Sequence, residues 1–482
     1  MTKKSQKVLD WTAKNYVISV IVFILCFASV FGLFLVAEKF NCGGEKLTDL
    51  NWLLTIGITI FLVCSVLFFC LFFDRRNFMK KAENIVMVFL IIIATLVVCF
   101  VVERLEYTYA RPVALAALLA VLLIDRRSAI VINTAVCLLM FLSDTMLHTT
   151  QPFENSPLIL AIVGFSSGVL GIYVVDGMAS RIRVILSGLV ISIPAVLFVP
   201  LIVIKLEGKE ISMLIQAIVS GCMSVVLFSA ILPLFEMLFS KLTDFRLSEL
   251  TSNNAKIIKE MIVKAPGSFN HSLVLASLAE SCAISIGENP LLARACAYYH
   301  DVGKLRKPEY FVENNSKNNL HQDLSPEVSV SIIRAHAIDG YNLLKRYHIP
   351  EEIAVVAKSH HGTLPIKFFY AKAKKLTDGE VDIKDFSYPG PKPQTKMAAI
   401  IMICDAAEAS VRVLADRTPE KVTSLIDEIV KERIDFGQFD ECEITMNELT
   451  LIKNSIIANV SKVFHDRIVY PKIKLSRKRI KV

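Results

Sequence analysis

Five histidines and two aspartates, spread over separate predicted helices, have the side-chain types of a metal centre. A lone histidine on an apolar helix face is usually a core residue with one hydrogen bond, but that explanation does not account for a set of seven side chains. Seven of the nine histidines lie between positions 271 and 361. The predicted set comprises His271, His300, Asp301, His336, His360, His361 and Asp405.

The ligand types narrow the choice of metal. Asp405 lies within the apolar stretch IIMICDAAEA, and a buried carboxylate needs a compensating partner. Imidazole and carboxylate ligands suit iron, manganese or zinc. No cysteine joins the set, which disfavours a structural zinc site.

The adjacent pair His300-Asp301 indicates how two metal ions could be held together. Consecutive residues on a helix point about 100° apart, so the pair cannot present both side chains on one face. The carboxylate can instead lie between two metals while the imidazole binds one of them. Two metals that share a carboxylate can stabilise the attacking and leaving oxygens of a phosphoryl group.

These residues belong to the second half of a chain whose two halves differ in composition. The 482 residues are 54% hydrophobic, and the mean hydropathy is +0.53. Long apolar runs are concentrated before about residue 240, whereas the remainder has the composition of a soluble helical domain. We therefore predict a membrane part followed by a part in water.

Apolar segments that could cross a membrane are predicted at 16–37, 51–73, 83–102, 110–124, 128–146, 157–177, 183–205 and 212–240. The fourth, with the core PVALAALLAVLLI, has thirteen apolar residues where a span needs about 20. Three explanations stay open for this fourth segment: a tilted helix, an extension into Tyr107–Arg111, or a re-entrant segment. No small-residue cleavage site follows the first segment, so we predict an uncleaved transmembrane helix rather than a signal peptide.

Every second connection between these segments is basic. Lysines precede the first segment, DRRNFMKK follows the second, DRR the fourth, SRIR the sixth and KLTDFR the eighth, while the other connections are mixed or acidic. The positive-inside rule then places the N-terminus and the C-terminal domain inside, and seven spans would break the alternation. The segments carry almost no charge, which favours an anchor or sensor over a transporter.

The second half is predicted to be all-helical, since it shows no strand alternation. The stretch 247–265 is predicted to be one amphipathic helix, and a loop of about thirty residues that includes YPGPKPQ is predicted before residue 395. Ser325 is a predicted N-cap with Pro326 at the first helical position. The predicted fold class is all-α, with a polytopic transmembrane domain of about eight helices (1–241), a cytoplasmic helical domain (242–469) and a basic tail (470–482). The tail YPKIKLSRKRIKV is predicted to be solvated, with contact to anionic lipid or nucleic acid as the alternative.

The order H…HD…H…HH…D, with its spacing, resembles that of the HD-domain phosphohydrolases. The closer resemblance is to the seven-transmembrane HD-domain cyclic di-AMP phosphodiesterases of bacteria. It rests on APGSFNHSLVLASLAE, ACAYYHDVGKLRKPEYFVEN, LSPEVSVSIIRAHAIDG, SHHGT and YPGPKPQTKMAAIIMICDAAEA, which cover most of residues 262–416. The multi-span region before them also fits the family.

This resemblance implies a site for two divalent transition metals, with Fe or Mn expected. The implied ligands of one metal are His271, His300, Asp301 and Asp405, and those of the second are Asp301, His336, His360 and His361. Asp301 is then the bridge, and the metals activate a hydroxide that attacks the phosphodiester and expels the ribose 3′ oxygen. Lys304 would stabilise charge on the phosphate. Lys392 and Lys396 are candidate substrate contacts, with a solvated loop as the alternative.

The implied function is hydrolysis of cyclic di-AMP to the linear dinucleotide pApA at the bacterial cell (inner) membrane, with the HD domain in the cytoplasm. The alternatives are an HD hydrolase of another nucleotide such as (p)ppGpp, and a non-catalytic nucleotide-binding membrane receptor. The complete ligand set argues against the receptor. The expected partners are the cyclic dinucleotide and the lipid bilayer. No nucleic-acid polymer is expected as a partner, and a homodimer is an open alternative.

The sequence departs from the family pattern in three places. Family members usually carry a large extracellular domain after the first span, where this chain has the thirteen residues AEKFNCGGEKLTD. Met397 follows Lys396 where a glutamate is more usual, and His321 is followed by Gln322 rather than directly by Asp323. None of these changes touches an implied metal ligand.

Overall fold

The structure is a computed structural model that describes residues 3–147, 157–178, 181–203, 210–315, 319–376 and 380–463. Within these ranges the regular secondary structure is helical, and the extended contact is a single isolated bridge between Pro365 and Ser387. This confirms the predicted all-α fold class. The chain separates into two compact units, Met1–Arg246 and Leu247–Val482.

The first unit is built from apolar helices. They are α1 (Lys3–Asn41), α2 (Leu50–Asp74), α3 (Arg76–Met79), α4 (Ala82–Arg104), α5 (Leu115–Leu123), α6 (Arg126–Met146), α7 (Pro157–Val175), α8 (Arg181–Ile191), α9 (Ile193–Val203) and α10 (Glu210–Leu238). Among the described residues, 6 helices are long and apolar enough to cross a membrane: α1 from Asn15, α2, α4, α6, α7 and α10 from Ile211.

The fourth and seventh predicted segments form shorter helices. Helix α5 has 9 residues, and at 1.5 Å per residue it is about 14 Å long, less than half the hydrocarbon thickness. Its residues are nearly all buried against other helices of this unit. The seventh segment breaks at Ser192 because Pro194 has no N–H to continue the helix. The Ser192 hydroxyl lies within hydrogen-bond distance of the carbonyls of Gly188 and Ile218, at 2.9 and 2.8 Å.

One buried ion pair joins the ends of these apolar helices. The Arg111 guanidinium donates to both carboxylate oxygens of Asp144, at 2.6 and 2.9 Å, and lies 3.7 Å from Glu103. All three side chains are less than 10% exposed. The bidentate pairing compensates the cost of burying the arginine and fixes the chain before α5 against the end of α6.

Helices α11 to α20 form the second unit, with α11 crossing the division between the two. They are α11 (Asp244–Leu250), α12 (Lys256–Lys264), α13 (Pro266–Ser285), α14 (Pro290–Tyr299), α15 (Pro326–Arg346), α16 (Glu351–Ser359), α17 (Lys367–Leu376), α18 (Lys396–Val413), α19 (Pro419–Asp435) and α20 (Met446–Val463). Helix α13 lies at the centre, in contact with α14, α18 and α20.

Local sequence signals set where the site-bearing helices begin. The Asn289 side chain accepts from the N–H groups of Leu291 and Leu292 and starts α14 before Pro290. Ser325 caps α15 as predicted, accepting from the N–H of Val328. Helix α14 ends at Tyr299 with His300 as its C-cap, and a 3₁₀ helix follows at Val302–Arg306, so the chain turns at Asp301.

Two features of this unit differ from the helices expected from the sequence. The stretch 247–265 reads as one amphipathic helix, but it is divided between α11 and α12. The Ser252 hydroxyl accepts from the N–H of Asn254 and so competes with the helical backbone. The long loop expected before residue 395 contains α17, whose buried residues are Phe369 and Ala373.

Candidate metal centre

The structure brings the predicted metal ligands together from five separate elements. They come from α13, the end of α14, α15, the end of α16 and α18. Their nitrogen and oxygen atoms form three groups in which all members lie within 4.8 Å of one another. The groups are His336, His360 and His361; His271, His300 and Asp405; and His300, Asp301 and His360.

Backbone carbonyls orient three of the histidine rings. In each ring Nδ1 donates to the carbonyl three residues earlier: His300 to Ala297 at 2.8 Å, His336 to Ile333 at 2.5 Å and His360 to Ala357 at 2.9 Å. A carbonyl can only accept, so Nδ1 carries the proton in all three rings. The Nε2 lone pairs are therefore directed into the cluster, which is the usual arrangement of metal-binding histidines.

This orientation places acceptor atoms against one another. The Nε2 atoms of His336 and His360 are 3.4 Å apart, and neither has a hydrogen to donate. Nε2 of His300 and Oδ1 of Asp301 are buried without a hydrogen-bond partner in the described part of the chain. A cation bound among these atoms would satisfy them, so the residues fit a divalent metal.

The two oxygens of Asp301 face different histidines. Oδ1 lies 3.3 Å from Nε2 of His336 and 3.8 Å from Nε2 of His360. Oδ2 lies 3.2 Å from Nε2 of His300. Because the carboxylate stands between the two halves of the cluster, it has the position required of a bridging ligand.

His271 is held between two carboxylates. Its Nε2 lies 3.0 Å from Oδ1 of Asp405, and its Nδ1 lies 2.7 Å from Oε2 of Glu408. Burial opposes protonation of the ring, but the hydrogen bonds to both carboxylates raise the pKa of His271 to about 10. A cation at Nε2 would replace the proton there, while Glu408 would still accept from Nδ1.

Replacing Glu408 by glutamine is expected to weaken metal binding by about 10- to 100-fold, because the neutral amide orients and polarises His271 less well. The change preserves the shape of a side chain that is 1% exposed and also pairs with Arg412. Metal content of the full-length protein after dialysis against graded chelator measures the effect. Glu420→Gln, at an exposed position of α19, is the control and should bind metal like the wild type.

Burial and neighbouring charges set the protonation of the other ligands. Burial lowers the pKa of His336 and His361, and lowers the pKa of His360 to about 3. These rings are neutral, as metal ligands must be. Burial opposes ionisation of Asp301, but the Lys304 ammonium, 2.7 Å away, holds its pKa well below the usual range. The cluster therefore combines neutral imidazoles with an ionised carboxylate.

Lys304, the predicted phosphate contact, lies beside the bridging position. Its Nζ is 2.7 Å from Oδ2 of Asp301 and 2.6 Å from Oε1 of Glu313. The Ser268 hydroxyl also donates to Oε1 of Glu313, which ties this network to the start of α13. Burial opposes the charge on Lys304, but the two carboxylates raise its pKa, so the ammonium stays charged.

The two other predicted lysines contact acidic side chains outside the cluster. Nζ of Lys392 lies 3.2 Å from Asp440. Nζ of Lys396 lies 2.5 Å from Glu448 and 3.6 Å from Glu288. In the described part of the chain, these contacts do not join either lysine to the seven predicted ligands.

Three residues at the site were missed from the sequence. Glu408 lies one turn after Asp405 in the same apolar helix, so its position among apolar residues was a signal in the sequence. Glu313 has no local signal, because its contact with Lys304 depends on the turn between them. Tyr388 lies in the YPGPKPQ loop and stacks on His361, with ring centroids 4.2 Å apart and 23° between the planes.

Comparison with known proteins identifies both halves of the chain. Residues 50–243 match the family described as 7TM receptor with intracellular HD hydrolase, and residues 268–410 match the HD domain. Together with the 6 long apolar helices found among the described residues, the first match makes the chain a multi-pass membrane protein.

Two curated relatives align over most of the chain. The cyclic-di-AMP phosphodiesterase PgpH of Bacillus subtilis is 36% identical over 432 residues, which is 87% of this chain and 60% of the relative. PgpH of Listeria monocytogenes is 35% identical over 429 residues, 86% of this chain and 58% of the relative. The chain thus spans about 60% of the length of the curated relatives it matches.

Crystal structures of one relative align with the second unit. The HD domain of L. monocytogenes PgpH in complex with cyclic-di-AMP is 47% identical, and the alignment covers 44% of this chain and 99% of that one with a TM-score of 0.42. A second structure of that domain is 46% identical, with coverage of 44% and 100% and the same TM-score of 0.42.

Proposed function

The chain belongs to the family of seven-transmembrane proteins with an intracellular HD hydrolase domain, and from this premise we propose that it is a membrane-anchored phosphodiesterase. Its proposed substrate is cyclic di-AMP, and its proposed product is the linear dinucleotide pApA. The names of the two curated relatives support this choice of substrate.

The observation that carries the proposal is the position of Asp301. Its two oxygens face separate histidines in a cluster whose Nε2 lone pairs point inward. We propose that His271, His300 and Asp405 bind one divalent metal and that His336, His360 and His361 bind a second, with Asp301 shared. An HD domain implies bound divalent metal, and the mixed nitrogen and oxygen ligands support Fe or Mn.

Two such metals, when bound, would supply Lewis acidity and an activated water. The protein side chains contribute by orienting the proposed metal ligands and the Lys304 ammonium. Hydrogen bonds from Nδ1 fix the histidine rings, and Glu408 orients His271. Glu313 keeps the Lys304 ammonium at the edge of the bridging carboxylate, where its charge would attract the diester phosphate.

The proposed location is the bacterial cell (inner) membrane, with the HD domain on the cytoplasmic side. The alternation of basic connections supports this orientation. The proposed domains are the transmembrane part at 1–241 and the HD part at 242–469. The predicted basic tail at 470–482 lies outside the described residues.

The test is hydrolysis by the purified full-length protein in detergent, loaded with Mn²⁺ and offered a panel of nucleotides. We expect cyclic di-AMP to be converted to pApA, with about two metals per chain in the same sample. The panel includes (p)ppGpp, the substrate of the competing HD hydrolase. If cyclic di-AMP stays intact while (p)ppGpp is consumed, the proposed substrate is wrong.

A further inference from the structure

The Tyr388 ring lies against two of the proposed metal ligands. It stacks on His361 at a centroid distance of 4.2 Å and is nearly perpendicular to His336 at 6.1 Å. The backbone N–H of Tyr388 donates to the carbonyl of Leu364, three residues after His361. The ring therefore has a fixed place beside the cluster, and its side chain is partly exposed.

The Tyr388 hydroxyl is available to bind a ligand. None of the hydrogen bonds found within the described residues engages it, whereas the hydroxyls of Tyr299, Tyr341 and Tyr347 all have protein partners. The ring that carries this hydroxyl contacts His361 and His336, which are both proposed metal ligands. A donor without a hydrogen-bond partner among the described residues is thus carried by a ring that borders the proposed metal site.

We propose that the hydroxyl of Tyr388 donates a hydrogen bond to a non-bridging oxygen of the scissile phosphodiester and so binds and orients it. This inference rests on the proposed function, because it assumes that a phosphodiester is cleaved beside Asp301. Negative charge builds on the non-bridging oxygens as the nucleophile adds, so a donor fixed at that point stabilises the transition state more than the bound substrate.

The competing explanation is that the aromatic ring only supports His361. Tyr388→Phe distinguishes the two, because it removes the hydroxyl and keeps the stacked ring. Tyr370→Phe is the matched control: Tyr370 is also partly exposed, and its ring contacts Phe386, two residues before Tyr388. Both variants are made in the full-length protein, and metal content is measured on every preparation.

Turnover is measured with cyclic di-AMP and with bis(4-nitrophenyl) phosphate, a diester without a nucleoside. We expect Tyr388→Phe to lower kcat/KM about 10- to 100-fold on both, at unchanged metal content, while Tyr370→Phe stays within about twofold. A cyclic di-AMP with sulfur at one non-bridging position adds a direct readout. Sulfur accepts hydrogen bonds poorly, so in one diastereomer the oxygen-to-sulfur rate ratio should shrink in Tyr388→Phe.

Two results would overturn the inference: wild-type kcat/KM in Tyr388→Phe on both diesters, or a loss of activity that matches a loss of metal. Cleavage of the aryl diester but not of cyclic di-AMP by the wild type would refute the proposed substrate alone. Tyr388→Phe would then still decide the inference on the aryl diester. Cleavage of neither diester would overturn both proposals.

Discussion

Replacing Asp301 by alanine is expected to abolish both metal loading and turnover. Its Oδ1 lies 3.3 Å from Nε2 of His336 and its Oδ2 lies 3.2 Å from Nε2 of His300, so one side chain serves both halves of the cluster. Without it, each proposed metal loses an anionic ligand, and two groups of histidines are left without a shared charge. We expect turnover to fall by about 10³-fold or more. Elemental analysis of the purified protein and chromatography of the cyclic di-AMP reaction measure the two effects.

The removal of a buried charge also affects Lys304, whose ammonium pairs with Asp301 and Glu313. Asp301→Asn keeps the side-chain volume and tests whether a folding failure explains the loss, since it should fold while still losing turnover. Asp339→Ala is the matched control, because Asp339, on α15, pairs with the exposed side chain of Arg306 and not with Lys304. It should keep metal and activity. Two metals and wild-type turnover in Asp301→Ala would refute the bridging role.

The types and order of the predicted ligand residues indicate which side chains come together in the fold. The chemistry of a buried metal site allows few residue types, so these residues can be recognised before their geometry is known. Buried carboxylates and clustered histidines are costly in a helical core without a compensating ion. A helical sequence can therefore be searched for such residues before the packing angles are known. His271 and Asp405 are 134 positions apart, yet the structure places their side chains 3.0 Å from each other.

Residues that act through a tertiary contact could not be found in this way. Glu313 is an ordinary polar residue in the sequence, and only the turn after the 3₁₀ helix brings it to 2.6 Å from Lys304. The stacking of Tyr388 on His361 depends on the pairing of the chain near Pro365 and Ser387. The tertiary fold sets the positions of these side chains, and no local sequence pattern predicts them.

The membrane part shows a similar division between what composition predicts and what packing decides. Hydropathy locates each apolar segment because burial in lipid or protein requires the same residue types. It cannot separate a span from a short helix enclosed by its neighbours, and α5 is of the second kind. Proline chemistry could have indicated the break between α8 and α9, since Pro194 lies two residues after Ser192.

Gly303, between Asp301 and Lys304, is in closer contact with its surroundings than any side chain would allow. A Cβ at this position would lie 1.9 Å from the carbonyl oxygen of His336 and 2.6 Å from the backbone nitrogen of Gly340. Both atoms belong to the backbone of α15, so no side-chain rotation can relieve the clash. The 3₁₀ helix and α15 would have to separate, and Asp301 would move away from His336.

Gly303→Ala is therefore expected to destabilise the protein and to disrupt the metal centre at the same time. Overpacking of this kind costs about 3 kcal/mol, which corresponds to a fall in Tm of roughly 6–12 °C for a domain of this size. Turnover and metal content should fall with it, because the distance from Asp301 to His336 changes. Gly287→Ala is the control: a Cβ there meets nothing within 4 Å, so the expected cost is the strain of a side chain at its φ of +75°, about 1 kcal/mol. Thermal unfolding and metal analysis of both full-length variants compare the two positions. Equal Tm values for the two variants, or a full metal content in Gly303→Ala, would contradict this prediction. Either result would show that α15 can shift without displacing Asp301.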